Sequence, residues 1–206
     1  MCIRDRTDKD GSLIILYAQN KDEQYTYIES AKEKGYEVLL LDSPIIPHLM
    51  QKLESKKEKI KFSRVDSDTL ENLIKKDEEV ISKLTDEEKE KLKPMIETAV
   101  ENEKYTVQLE ALDSNSMPFM LAQPEFMRRM KEMQQSGGGA MGNLPDMYSL
   151  IVNTNHELVG KILNTRTEKK RNSLIKQSID LAKLSQNNLT GKDLTEFINR
   201  SIDLIK

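Results

Sequence analysis

Residues 13–41 read LIILYAQNKDEQYTYIESAKEKGYEVLLL, and this segment sets the architecture of the first part of the chain. Residues 13–17 are a continuous apolar run, which is typical of a strand buried on both faces. Asp22 is placed to cap a helix, and Gly35 stands where a helix ends in a left-handed residue. A second apolar run at 36–41 predicts another buried strand. Strand, helix and strand joined by short turns predict a βαβ unit, with parallel strands and a right-handed crossover.

The next segments extend this unit and then change in composition. A helix after Pro44 and a third strand at 60–65 complete a small α/β module over residues 13–65. Between residues 77 and 103 there are ten Asp or Glu residues against four Lys, which indicates an acidic helical stretch facing solvent. Thr85, followed three positions later by a glutamate, has the spacing of a capping box, so a helix is predicted to begin there.

Residues 66–206 predict a second domain that mixes helices with antiparallel strands. Residues 105–109 alternate between polar and apolar side chains, residues 117–122 are apolar, and turn residues separate them. This pattern predicts an antiparallel pair, and residues 148–152 predict a further strand.

Three helices are predicted after the last strand. Asn155 is placed to cap a short helix, and Thr165 begins a second capping box. The helix from this box is expected to end near Asn187, and the last helix to begin at Gly191.

Composition excludes several classes of protein. The chain has 206 residues, with 32 Lys and Arg against 35 Asp and Glu, so its net charge of −3 argues against a dedicated nucleic-acid-binding protein. No apolar run approaches the ~18–20 residues of a membrane span. The single cysteine, Cys2, excludes an internal disulfide and a multi-thiolate metal site. We therefore expect a cytoplasmic protein with neither nucleic acid nor membrane as a partner. Residues 1–12 are set aside as a frayed or non-native leader.

No catalytic, cofactor or metal site is predicted from the residue types. Residues 137–142 are rich in glycine but follow a helix and lack the lysine of a phosphate-binding loop, so they are interpreted as a flexible linker. His48 and His156 have no Cys, Asp or His at the spacing of a metal site, and each is interpreted as a surface or capping residue.

Methionine is concentrated in one region, where seven of the ten methionines fall between Met117 and Met147. On a helix predicted over 123–135, one face carries the candidate partner-binding residues: Phe126, Met127, Met130 and Met133. The opposite face carries Arg128, Lys131 and Glu132. Two interpretations stay open: the methionine face is the core side of an amphipathic helix, or it stays exposed and adapts to many partner shapes.

The last two predicted helices carry more apolar surface than two helices packed on each other can cover. This surplus predicts a two-fold four-helix bundle between two copies of the chain. The candidate dimerisation residues are Leu181, Leu184, Leu194, Phe197, Ile198 and Ile202. The alternative is that both helices pack onto strands of their own chain. The predicted fold class is thus α+β: a small βαβ module, then a mixed helix and antiparallel-strand domain ending in a helical dimerisation pair.

The order of these segments resembles the heat shock protein 90 family of molecular chaperones, in its bacterial form. Residues 34–45, KGYEVLLLDSPI, resemble the closing α/β part of the family's middle domain. Residues 112–114 and 127–130 (LDS and MRRM) resemble its C-terminal domain. Residues 148–159 are similar to its strand and Asn-capped helix, and the two closing helices are similar to its dimerisation element. The resemblance covers residues 13–206.

The resemblance implies a part of an ATP-dependent, homodimeric chaperone that acts in protein folding and the stress response. It implies that the pocket for ATP and Mg²⁺ lies in an N-terminal domain of the family, outside the part that residues 13–206 match. We therefore expect neither ATPase activity nor a bound cofactor in this chain by itself. The family's client-contacting helix is matched by Met127 and Met130, with Phe126 and Met133 beside them. Lys131 departs from the family, which often has an apolar residue there.

Two other functions are kept as alternatives. One is a stand-alone dimeric adaptor that binds a single amphipathic helix of a partner in a groove. The other is a small-molecule enzyme that uses the α/β module at 13–65, although no loop in that module predicts phosphate binding.

Overall fold

The computed structural model describes residues 7–75, 80–100, 105–130 and 147–205, and the chain divides into two compact units. The first unit consists of Met1–Glu79 with Ala122–Met147, and the second of Val80–Leu121 with Tyr148–Lys206. The helices and strands follow in this order: β1 (Leu13–Ala18), α1 (Tyr25–Glu33), β2 (Leu39–Leu40), α2 (Ile46–Lys56), β3 (Ile60–Arg64), α3 (Leu70–Leu73), α4 (Asp86–Val100), β4 (Tyr105–Glu110), β5 (Phe119–Ala122), α5 (125–130), β6 (Tyr148–Asn153), α6 (Glu157–Asn164), α7 (Glu168–Ser185) and α8 (Gly191–Ile205). The predicted α+β class is confirmed.

The first unit contains the predicted module of parallel strands. Its sheet has the order β2-β1-β3, and β1 pairs in parallel with both neighbours. Tyr17 and Leu16 in this central strand are buried. Gly35 has a φ of +78°, which confirms the left-handed exit from α1. Residues 7–12, which precede β1, form a turn in which the Ser12 N–H donates to the Asp8 carboxylate over 2.7 Å.

The prediction of a second buried strand at 36–41 is wrong in extent and burial. Only Leu39 and Leu40 pair with β1, and their side chains are 44% and 55% exposed. The reason is topological: β2 lies at the edge of a three-stranded sheet, so one of its sides has no neighbouring strand. An apolar run does not distinguish an edge strand from a central one.

The second unit is built on a sheet with the order β4-β6-β5. The predicted antiparallel pairing of β4 with β5 is wrong, because β6 lies between them and pairs in parallel with β4 from Tyr105↔Tyr148 to Glu110↔Asn153. Strand β6 is the central strand, and its apolar residues are the most deeply buried ones of the sheet. The core of the unit is formed by Leu92, Ile96, Val107, Phe119, Leu121, Leu150, Val152, Val159, Ile162, Ile175, Ile179 and Ala182.

Side-chain caps explain where the helices of this unit begin. The capping box before α4 is confirmed, because the Thr85 and Glu88 side chains each accept the backbone N–H of the other residue. The second capping box is wrong: the Thr165 hydroxyl donates to the Lys161 carbonyl at the end of α6, and α7 begins only at Glu168. Helix α4 continues through Pro94 as one element.

The cap of α6 is one residue later than predicted. His156, not Asn155, is the N-cap, and its Nδ1 accepts the Leu158 N–H over 3.0 Å. This confirms a capping role for His156, while His48 is exposed on α2.

Candidate functional site

Helix α5 has two chemically different faces. At 100° per residue, the side chains of Glu125, Arg128 and Arg129 share one side, and those of Phe126, Met127 and Met130 share the other. Phe126 is 70% exposed, and both methionines are partly buried. Met133, the fourth candidate on this face, lies outside the described residues, as does the glycine-rich segment at 137–142.

The charged face of α5 is the side that packs on the other elements of the first unit. Arg128 is only 4% exposed, and its guanidinium lies 5.7 Å from the centre of the Tyr17 ring. Arg128 donates to the Glu125 carboxylate over 2.6 and 3.2 Å and also to the Tyr17 hydroxyl. The Tyr17 hydroxyl in turn donates to Glu125 over 2.8 Å. A charged side chain is therefore the most buried one among residues 125–130.

Arg129 joins α5 to two further elements. It donates to the Glu54 carboxylate of α2 over 2.8 and 3.3 Å, and to the Phe62 carbonyl of β3 over 2.7 Å. It also donates to Glu125 over 2.8 Å. Glu54 accepts the Phe62 N–H over 2.7 Å, so its carboxylate is held in place on both sides. Two arginines and two glutamates thus neutralise each other beneath α5.

The surroundings of these side chains keep Glu125 and Arg129 charged and the Tyr17 hydroxyl protonated, as their hydrogen bonds require. Burial acts to raise the pKa of Glu125, but the charge of Arg128 and the hydrogen bonds from Arg128 and Tyr17 hold that pKa below its usual range. Burial, and then the Glu125 carboxylate, raise the pKa of Tyr17, so its hydroxyl remains a donor. Burial acts to lower the pKa of Arg129, but Glu54 and Glu125 raise it more.

These contacts contradict the core-side interpretation of the methionine face for one of its residues, Phe126. The core-side interpretation predicts a buried Phe126, whereas the structure buries Arg128 and leaves Phe126 exposed. The sequence periodicity separates the two faces correctly but does not tell which face packs inward. A hint lies in the spacing of Glu125 with Arg128 and Arg129, since i,i+3 and i,i+4 ion pairs can satisfy charges on a packed face.

The C-terminal helix pair carries the second candidate surface. Helix α7 contributes Ile175, Ile179 and Ala182 to the core, whereas no described side chain of α8 belongs to it. The candidate dimerisation residues Leu181, Leu184, Ile198 and Ile202 are 40–48% exposed, and Leu194 and Phe197 are partly buried. Ile205, on the same stripe of α8, is 85% exposed. These apolar side chains form the C-terminal stripe.

Polar contacts set the register of α8 against α7. Gln177 donates to the Ser201 hydroxyl over 2.9 Å, and Arg200 forms a salt bridge with Asp180, which is 3% exposed. The alternative interpretation, in which both closing helices pack onto strands of their own chain, is not what these contacts describe for α8. Instead, α8 is joined to α7 through polar groups, while much of the C-terminal stripe stays in contact with solvent.

A buried polar network at the end of β6 is a feature that motif reading misses. Asn153 is fully buried, and its side chain accepts the Leu112 N–H and donates to the Asp113 carbonyl. Asn155 donates to the carbonyls of Ile81 and Leu112 and accepts the Lys83 N–H over 2.7 Å. The signal in the sequence is the Asn-Thr-Asn run directly after an apolar strand.

A cleft of about 410 Å³ lies in the second unit beside the end of α4 and along α7 and α8. Four of its charged lining residues form two pairs: Lys176 lies 3.5 Å from Glu196, and Lys183 lies 3.9 Å from Asp180. Within the described residues, no group of three His, Cys, Asp or Glu side chains could hold a metal ion. The helices of the same part of the chain include none that is long and apolar enough to cross a membrane.

Comparison with known proteins gives one consistent match. The family model described as "Hsp90 protein" matches residues 11–203. The chaperone protein HtpG of Bacteroides thetaiotaomicron is 35% identical over 269 residues, covering 97% of this chain and 40% of that protein. HtpG of Porphyromonas gingivalis is 41% identical over 184 residues, covering 87% of this chain and 27% of the relative. The chain therefore spans two fifths or less of the length of these curated relatives.

Proposed function

This chain belongs to the heat shock protein 90 family, and we propose that it is the part of such a chaperone that pairs two protomers and contacts non-native proteins. The mechanism is binding rather than chemistry. Adaptable apolar contacts of low specificity hold a client, and presentation of two such surfaces by one dimer strengthens binding through avidity. ATP hydrolysis, with its nucleotide and Mg²⁺, is assigned to other parts of the family's architecture. The proposed location is the cytoplasm.

The observation that carries the proposal is the orientation of α5. A helix whose charged face is buried and whose Phe126 is 70% exposed is available for apolar contacts with other chains. Met127 and Met130 flank Phe126 on the same face, and unbranched thioether side chains can adjust to partners of different shape. Met133 belongs to the proposed client-binding surface because it continues the same helical spacing.

The C-terminal stripe supports the proposed homodimer. Its exposed residues recur on α8 at Ile198, Ile202 and Ile205, a spacing that keeps them on one side of the helix. Leu181 and Leu184 extend the surface onto α7. Burying these side chains against a second copy would complete a four-helix arrangement by two-fold symmetry.

An aggregation assay tests the client surface. The chain and its Phe126→Ser, Met127→Ser double variant are each added to a thermally denaturing model protein, and turbidity is followed. We expect the double variant to suppress aggregation several-fold less well, with an unchanged circular dichroism spectrum. Ile45→Ser is the control, since Ile45 is 66% exposed and makes none of the contacts described for α5. Equal suppression by the double variant and the control would contradict the proposal.

The second candidate function is a dimeric adaptor that binds one amphipathic helix. It uses the same apolar surfaces but demands selectivity, because a groove that fits one helix discriminates against others. Suppression of aggregation across several unrelated denaturing proteins favours the chaperone. Tight binding to one partner, with no effect on the others, favours the adaptor.

A further inference from the structure

Two arginines on the described part of α5 make hydrogen bonds with other elements of the first unit. Their partners come from three separate elements: Tyr17 of β1, Glu54 of α2 and the Phe62 carbonyl of β3. We propose that Arg128 and Arg129 are positioning residues that hold α5 with its apolar face outward. This inference deepens the proposed function, on which its biological meaning rests.

The two arginines oppose a second orientation of α5, in which its apolar face turns toward the protein. An amphipathic helix lowers its free energy by turning its apolar face toward the protein, which here would bury Phe126 and expose the charged face. Rotation of α5 by about half a turn would separate Arg128 from Tyr17 and Arg129 from Glu54. The buried Tyr17 hydroxyl and the partly buried Glu54 carboxylate would then lose their partners on α5, which is unfavourable.

Geometry makes the contacts selective for one orientation. Arg129 binds both oxygens of Glu54 and also the Phe62 carbonyl, and a planar guanidinium can satisfy such a set only from one direction. Arg128 contacts a different element: its guanidinium lies 5.7 Å from the centre of the Tyr17 ring on β1 and donates to the Tyr17 hydroxyl. Two adjacent arginines that point to different partners define the rotation of the helix about its axis.

The first test measures the exposure of position 126 without any client. The chain contains no tryptophan, so Phe126→Trp introduces a single indole reporter. Adding Glu54→Arg should shift its emission to shorter wavelength and lower acrylamide quenching by roughly twofold, as the indole turns from solvent toward the protein. The double reversal Glu54→Arg with Arg129→Glu should restore the emission in part, since the ion pair is re-formed with its ends exchanged while the Phe62 carbonyl loses its donor. Glu58→Arg makes the same charge change at an exposed position and is the matched control.

Each outcome of this test has a defined meaning. Unchanged emission and quenching in a folded Glu54→Arg variant would overturn the proposal, and so would a change that the double reversal does not reverse even in part. If Glu54→Arg fails to fold, Glu54→Ala, which removes both acceptor oxygens for Arg129, takes its place, and unchanged emission and quenching in that variant would overturn the proposal. Arg129→Lys should give an intermediate quenching value, because it keeps the charge but loses the paired donors.

A parallel aggregation assay separates this inference from the proposed function. If the indole becomes buried and aggregation suppression falls with it, both are supported. If the indole becomes buried and suppression is unchanged, the positioning role stands and the proposed client surface is refuted.

Discussion

Replacing Ile198 and Ile202 by aspartate is expected to separate the proposed dimer into monomers. The five most exposed residues of the C-terminal stripe present an apolar surface equivalent to between two and three fully exposed side chains per protomer. At ~1.5–3 kcal/mol per buried side chain, covering this surface contributes about 4–8 kcal/mol per protomer. A dimer gains about twice that amount, against an association cost of ~4–15 kcal/mol. The margin is therefore small.

The two substitutions act on this margin in two ways. Ile198 and Ile202 are each 48% exposed, so their loss removes about one side chain per protomer, or ~3–6 kcal/mol per dimer. That change alone weakens the dimer at least about 100-fold, and the burial of aspartate charges weakens it further. Sedimentation equilibrium across a concentration series should give the monomer mass for the double variant where the unmodified chain gives twice that mass.

A matched variant separates interface effects from added charge. Asn188→Asp with Asn199→Asp adds the same two charges at exposed positions off the C-terminal stripe and should leave the dimer intact. The reasoning is refuted if Ile198→Asp, Ile202→Asp sediments with the same mass as the unmodified chain. It is also refuted if the unmodified chain is a monomer at all concentrations.

Three further predictions concern stability and pH. Asn155→Ala removes a side chain that donates to two carbonyls and should cost about 2–4 kcal/mol, seen as a lower urea midpoint at constant slope; Asn164→Ala, on the exposed side of α6, should cost far less. Gly35→Ala forces an alanine to a φ of +78° and should cost about 1–2 kcal/mol, so an unchanged melting temperature would contradict the assigned turn. Because the folded-state pKa of Glu125 is lowered, its contribution should be complete above the ordinary value of ~4.3 and be lost as the pH falls through the folded value. Acrylamide quenching of the Phe126→Trp reporter should therefore be constant from pH 8 to about 5 and change only in more acidic solution; a change centred near neutrality would count against Glu125.

The sequence predicted correctly those structural features that depend on residues close together in the chain. The parallel pairing of β1 with β2 follows from the order of strand, helix and strand within residues 13–41. The glycine exit of α1 and the Thr85 capping box follow from residue types only a few positions apart. The structure confirms each of them. The prediction for the second strand of this module was wrong in length and burial, because a run of apolar residues is compatible with an edge strand and with a central one.

Features that depend on residues far apart in the chain could not be predicted from local sequence patterns. The parallel pairing of β4 with β6 joins segments separated by about 40 positions, and turn residues between β4 and β5 favoured the wrong partner. The burial of Arg128 depends on Tyr17, more than 100 positions earlier, and that of Arg129 on Glu54. Periodicity identified the two faces of α5, but the inward face was decided by ion pairs formed across the first unit.

The sheltered position of the arginines also bears on the ionic strength at which the apolar face is presented. Exposed pairs such as Lys192 with Glu196, whose side chains are 87% and 41% accessible, are screened by dissolved salt. The pair of Arg128 with Glu125, at 4% and 21%, is screened much less. Concentrated salt should thus weaken the attraction between exposed charges, while the buried pair keeps α5 in its orientation. Phe126 should therefore remain available for apolar contacts at high ionic strength.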